Sequence, residues 1–252
     1  LKKTTASKER IESELRIARN IQMGMVPKIF PPFPEREDVD LYAKLIPAKE
    51  VGGDLYDFFI EGDKLYFIVG DVSGKGVPAS LVMAVTCRLF RTLAAHFHTP
   101  AEIVKALNDT LAENNESNMF CTAFMGVLDL KTGKMQYCNA GHNAPVMVTP
   151  SGEVKFMEVQ PNLPLGLFGG FPYEGQECDI VKGTSIFLYT DGASSGNPGP
   201  GGYGVVLKCA DAEREMAEGF SLTTNNRMEL TAVIVGLKML KEPVNLNIYS
   251  DS

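Results

Sequence analysis

What this sequence lacks narrows its class. No apolar run approaches the roughly 20 residues that a membrane-spanning helix needs, so no membrane role is expected. The basic start Leu1-Lys2-Lys3-Thr4-Thr5 is followed by no apolar stretch, so no signal peptide is expected. The five cysteines (Cys87, Cys121, Cys138, Cys178, Cys209) are odd in number, scattered, and form no C-x-x-C pair. A reduced, cytoplasmic protein with buried thiols is the expectation. An excess of basic charge is also missing: the net charge is −7, which argues against broad polyanion binding. The stretch up to Lys28 is the exception, with seven basic residues against three acidic ones.

The 252 residues, 44% of them apolar, leave room for one large or two small domains with a real core. Residues 5–25 predict a helix. Ile11, Leu15, Ala18 and Met25 recur at steps of four, three and seven, with Ile17 and Ile21 alongside. The stripe is narrow. It suits a partner helix, and hence a homodimer through this segment, as well as it suits packing on its own domain. Pro27, Pro31, Pro32 and Pro34 end the helix.

Strands follow at 41–45, 53–60 and 65–71, the last two flanking the four-residue turn Glu61-Gly62-Asp63-Lys64. If Ile60 pairs with Leu65, the register places Asp54 directly opposite Asp71. Tyr56, Phe58, Leu65, Phe67 and Val69 share that face, so an apolar surface ends in two opposed carboxylates. Like charges across a strand pair repel, and a divalent cation is the natural compensation. Asp57 alternates to the opposite face and is expected to be solvated or capping. His96 and His98 form an exposed H-x-H, and the spacing of Gly74-Lys75-Gly76 is not that of a phosphate-binding loop.

Pro78 opens a helix running to about 97, and Thr99-Pro100-Ala101-Glu102 is a capping box for another to about 114. Further strands are predicted at 122–129, 135–140, 145–149, 154–159 and 184–190. Hairpins with two inserted helices indicate an α+β, mostly antiparallel architecture. After Asp191 the composition shifts to a glycine-rich stretch through Gly202, then strands at 203–209 and 219–222, a helix from Asn226 closed by Pro243, and a strand at 246–250.

Five motifs stand in order: Val51-Gly52-Gly53-Asp54-Leu55-Tyr56-Asp57; Gly70-Asp71-Val72-Ser73-Gly74-Lys75-Gly76-Val77-Pro78; Asn139-Ala140-Gly141-His142-Asn143; Pro164-Leu165-Gly166-Leu167; and Tyr189-Thr190-Asp191-Gly192. This series, over roughly 13–192, resembles the SpoIIE/RsbU-type branch of the metal-dependent (PPM) serine/threonine phosphatases. The resemblance implies an antiparallel β-sandwich flanked by helices. It divides the chain into a regulatory linker helix (1–28), a phosphatase domain (29–192) and a remainder (193–252). It implies two manganese or magnesium ions, a hard-cation choice that carboxylate oxygens favour. By resemblance Asp71 bridges both ions, the carbonyl of Val72 helps bind one, Asp54 binds directly or through water, and Asp191 completes the second. A hydroxide held between the ions would attack phosphorus, so no nucleophilic side chain is needed. The implied substrate is a phosphorylated STAS-type anti-anti-sigma protein. The role of His142 is expected to be structural. The family carries a further Asp-Asp strand after the Asp191 motif, and its counterpart is missing here, so the second ion is expected to be weakly held and activity doubtful.

From Asp191 onward a second resemblance begins. Tyr189-Thr190-Asp191-Gly192 through Tyr203-Gly204, then Thr223-Thr224-Asn225-Asn226-Arg227-Met228-Glu229-Leu230, then Tyr249-Ser250-Asp251-Ser252 are similar to the N-terminal half of ribonuclease H type 1. The resemblance implies a partial α/β fragment and cleavage of RNA in RNA–DNA hybrids. Asp191, Glu229 and Asp251 match metal carboxylates; Asn197, Thr224, Asn225, Asn226 and Arg227 match nucleic-acid contacts. Both enzymes claim the strand at 184–190, which is expected to stay with the phosphatase. The readings are therefore a phosphatase domain with a grafted tail, a hybrid-cleaving nuclease fragment, or an inactive chimera.

Overall fold

The structure is a computed structural model. It describes residues 2–45, 47, 50–188, 199–209 and 212–223, with side chains between residues 7 and 188. The elements in chain order are α1 (Lys2–Met23), β1 (Leu55–Glu61), β2 (Lys64–Val72), α2 (Val77–Ala94), α3 (Pro100–Ala112), β3 (Cys121–Asp129), β4 (Lys134–Ala140), β5 (Val146–Val148), β6 (Val154–Phe156), β7 (Gln176–Asp179), β8 (Ser185–Phe187), β9 (Gly199–Cys209) and β10 (Ala212–Thr223).

Five antiparallel strands in the order β1-β2-β3-β4-β7 make the main sheet. A smaller sheet, β6-β5-β8, lies over the centre of one face. Phe124, Met135 and Tyr137 of the main sheet pack there with Met157, Met147, Ile186 and Leu188. The other face carries α2 and α3, which bury Met83, Cys87, Phe90, Ile103, Val104 and Leu107 against Ile68, Ala123, Met125 and Cys138. The α+β sandwich expected from the sequence is thus present as three layers: helices, main sheet, small sheet. β9 and β10 form a separate two-stranded sheet, and β8 pairs with β5. The strand claimed by both enzymes therefore sits in the sandwich.

Local chemistry explains the helix boundaries. Thr99 accepts a hydrogen bond from the Glu102 amide while the Glu102 carboxylate accepts from the Thr99 amide, a complete capping box with Pro100 at the first helical position. Among the described residues, α2 is the one helix long and apolar enough to cross a membrane by length and composition. Its buried face, from Ala79 through Phe90 to Ala94, packs into the main core, as in a core helix.

Three expectations are corrected. Residues 41–45 form no strand; Leu41, Ala43 and Leu45 pack on the core as irregular chain. β7 was not foreseen. Asp57 is neither solvated nor a cap: it is 2% exposed and holds Arg91 of α2 through two 2.6 Å contacts. The reason is that both faces of β1 are covered. Phe30 and Phe33 pack on Phe58 from one side, and Phe90 packs on Phe59 from the other. Strict alternation implies a wet face only when one face of a sheet is open.

Candidate functional site

The turn at 61–64 sets the register of the first hairpin, and Ile60 opposes Leu65. The pairing runs back to Leu55 opposite Gly70, and beyond it the Val72 amide donates to the Gly53 carbonyl at 3.3 Å. Asp54 and Asp71 therefore face each other between two ladder bonds. Such non-hydrogen-bonded antiparallel pairs bring Cα atoms to about 4.5 Å and their side chains close together. Oδ1 of Asp54 is buried. On its other side Asp71 is opposite Thr122 of β3, so Asp54, just ahead of β1, lies in a row with Asp71 and Thr122. The charge of the pair is felt nearby. The Cys121 thiol is pushed well up, by burial first, then by Asp71, Cys87 and Asp54.

Glycine shapes this end of the sheet. A Cβ on Gly53 would lie 2.6 Å from the Val72 carbonyl oxygen, and one on Gly70 would lie 2.6 Å from the Thr122 carbonyl oxygen. Only glycine allows either approach. Gly74 and Gly76 take positive φ values of 88° and 73°, turning the chain from β2 into α2. The remaining motifs gather here. Leu165 and Cys121 exchange backbone hydrogen bonds at 2.8 and 3.0 Å. Gly141 is so close to Pro164 that a Cβ would meet its ring at 2.8 Å. His142, 8% exposed, has Nδ1 2.9 Å from Thr122 Oγ1, and the Asn139 side chain brackets its backbone. His96 is exposed and bonds its own helix, with Nδ1 2.9 Å from the Thr92 carbonyl.

The register thus sets the two carboxylate residues Asp54 and Asp71 opposite each other at the sheet end, with the Val72 carbonyl next in the chain. This is an all-oxygen donor set, which fits magnesium or manganese. Among the described residues no group of three or more metal-ligating side chains assembles. Asp191 lies outside the described residues, as do Glu229, Asp251, Asn197, Thr224, Asn225, Asn226 and Arg227. The sequence reading missed Gln22, Thr122 and the Asp57–Arg91 pair, all of which bear on this region through contacts distant in sequence.

The sequence model of the family described as Stage II sporulation protein E (SpoIIE) matches residues 61–217. The chain belongs to the SpoIIE family. Asp71, Val72 and Asp191 fall within that match and Asp54 precedes it. The chain is 28% identical over 187 residues to the phosphoserine phosphatase RsbU of Bacillus subtilis (strain 168), covering 74% of this chain and 55% of RsbU. The SiaA-PP2C domain of Pseudomonas aeruginosa has the same fold, with a TM-score of 0.61 at 19% identity over 72% of each chain. The RNase H model matches residues 183–252. There the chain is 58% identical over 71 residues to ribonuclease H of Trichodesmium erythraeum (strain IMS101), covering 28% of this chain and 45% of that protein. The chain spans about half the length of these curated relatives. The two family matches overlap over 183–217, the segment holding both β8 and Asp191.

Proposed function

We propose that this SpoIIE-family chain is a metal-dependent phosphatase that hydrolyses phosphoserine or phosphothreonine on a regulatory protein. The observation that carries this reading is the placement of Asp54 opposite Asp71 within a family of metal-dependent phosphatases. Asp54, Asp71 and the Val72 carbonyl would hold two manganese or magnesium ions, with Asp191 as a further ligand. When bound, such ions activate water and clamp the phosphoryl oxygens. Gly53 and Gly70 let the backbone close around the site, and the loop 73–76 fixes Asp71 relative to α2.

The proposed substrate is a phosphorylated STAS-type anti-anti-sigma protein, supported by the likeness to RsbU. A homodimer through α1 is supported by its exposed Ile11, Ile17 and Ile21, at 56%, 57% and 58%. The free thiols of Cys87, Cys121, Cys138 and Cys178 suit a reducing compartment such as the cytoplasm. The division proposed is a linker helix at 1–28, a phosphatase domain at 29–192 and a ribonuclease H-like segment at 193–252; two family matches support it, at 61–217 and 183–252, and they overlap across the 192/193 boundary.

The test is manganese-dependent release of phosphate from a phosphoserine protein. Replacing a carboxylate that would hold the ions, with Asp71→Asn, would remove roughly 3 kcal/mol of charge stabilisation, so the rate is expected to fall about a hundredfold. Full activity in that variant, or in excess chelator, refutes the mechanism. The alternative, nuclease reading is run in parallel. RNA–DNA hybrid cleavage that disappears in Asp191→Asn and Glu229→Gln would establish it, with nucleic acid as the partner. The pairing of β8 with β5 weighs against it.

A further inference from the structure

The end of α1 grips the chain on both sides of Asp54. Gln22 is 4% exposed, although its helix is otherwise largely solvated. Its amide Nε2 donates to the Gly52 carbonyl at 2.6 Å, and its Oε1 accepts from the Gly52 amide at 3.2 Å. Both backbone groups of Gly52 are thereby satisfied, two residues before Asp54, as a neighbouring strand would satisfy them. β1 begins only at Leu55, so at Gly52 a side chain does what a sheet neighbour does further on. Two residues after Asp54, the Tyr56 hydroxyl donates to the Pro27 carbonyl at 2.6 Å. Tyr56 is 8% exposed, and by strand alternation it shares a face with Asp54. Between these two attachments Val26, 4% exposed, is seated in the core. The helix end is itself fixed, since the Met25 amide bonds the Gln22 carbonyl at 2.9 Å.

We propose that Gln22 and Tyr56 are positioning residues for Asp54, so that the seating of the α1 end sets the affinity of the site for its cation. This rests on the reading of Asp54 as a metal ligand. Burying a glutamine costs side-chain entropy and demands full hydrogen bonding. An apolar residue would seal a helix end without either requirement. What the amide adds is a two-point hold on the backbone leading into Asp54. Gly53, the one residue between Gly52 and Asp54, is itself tied across the strand pair by the Val72 amide, which donates to its carbonyl at 3.3 Å.

The test uses the full 252-residue chain and Mn2+ alone, with free ion read by electron paramagnetic resonance. Gln22→Leu and Tyr56→Phe are each expected to weaken Mn2+ binding about tenfold, the usual effect of loosening groups that orient a ligand. Val104→Ala, a cavity in the core of α3, is the stability control: it lowers the melting temperature and leaves Mn2+ affinity unchanged. Unchanged affinity in both variants, or an equal loss in Val104→Ala, overturns the proposal. Should one variant fail to fold, the other decides, because the two attachments lie on opposite sides of Asp54. A parent chain that binds no Mn2+ refutes the metal reading itself. A parent that binds Mn2+ while the variants match it refutes only the positioning role.

Discussion

The Asp57–Arg91 pair gives a prediction whose sign depends on which partner is removed. The Asp57 side chain is 1% exposed, while that of Arg91 is 42% exposed. Arg91 approaches both carboxylate oxygens at 2.6 Å, donates to the Phe58 carbonyl at 3.1 Å and stands 5.2 Å over the Phe59 ring. Arg91→Met leaves a carboxylate buried with no countercharge, a loss of about 3 kcal/mol at the low end for breaking a buried pair. Asp57→Asn keeps an acceptor for the guanidinium, which reaches water on its open side, so the cost is nearer the ~1.5 kcal/mol of one charged hydrogen bond. The double variant Asp57→Leu with Arg91→Met removes charge and countercharge together and recovers most of the parent stability. Urea unfolding with an unchanged slope reads all three values. At about 2–4 °C per kcal/mol, Arg91→Met lowers the melting temperature by roughly 6–12 °C. The reasoning fails if Asp57→Asn is the costlier single change. It also fails if Arg91→Met costs less than ~1 kcal/mol, the value for a surface pair.

Two further perturbations follow from the same structure. Thr99→Ala removes the hydroxyl that accepts from the Glu102 amide, and the urea midpoint should report a loss of about 1 kcal/mol. Gly70→Ala places a methyl 2.6 Å from the Thr122 carbonyl, where the obstacle is sheet backbone and cannot rotate away. Overpacking of roughly 1–3 kcal/mol is expected from thermal unfolding, together with weakened Mn2+ binding, because the shift falls beside Asp71.

The legible part of the fold was local. The hairpin register could be read because a four-residue turn fixes it, and the observed pairing of Ile60 with Leu65 carries through to Asp54 and Asp71. Thr99 and Glu102 are three residues apart, and their capping box formed as read. The illegible part joins distant segments. Asp57 and Arg91 are 34 residues apart, and strand alternation alone gave Asp57 the wrong environment. Gln22 and Gly52 are 30 apart, and in a charged helix one more polar residue carries no signal. β7, with the sequence Gln-Glu-Cys-Asp, reads as loop by composition; its place at the sheet edge beside β4 supplies the pairing that makes it a strand.

β8 is held in the sandwich by its pairing with β5 and by burial. In the sandwich, Ile186 and Leu188 add to the cluster of Phe124, Met135, Tyr137 and Met157. Full burial of such a side chain is worth about 1.5–3 kcal/mol, and these two are partly buried, so together they contribute somewhat less than twice that. The competing arrangement would attach the strand to the ribonuclease H-like segment. Among the described residues that segment is the β9–β10 ribbon, and an isolated two-stranded ribbon is marginal in water. A strand given to it would take Ile186 and Leu188 away from the cluster of Phe124 and Tyr137. Identity of 58% to ribonuclease H over this part of the chain therefore does not decide where β8 goes. In the structure β8 lies against the aromatic face of the main sheet.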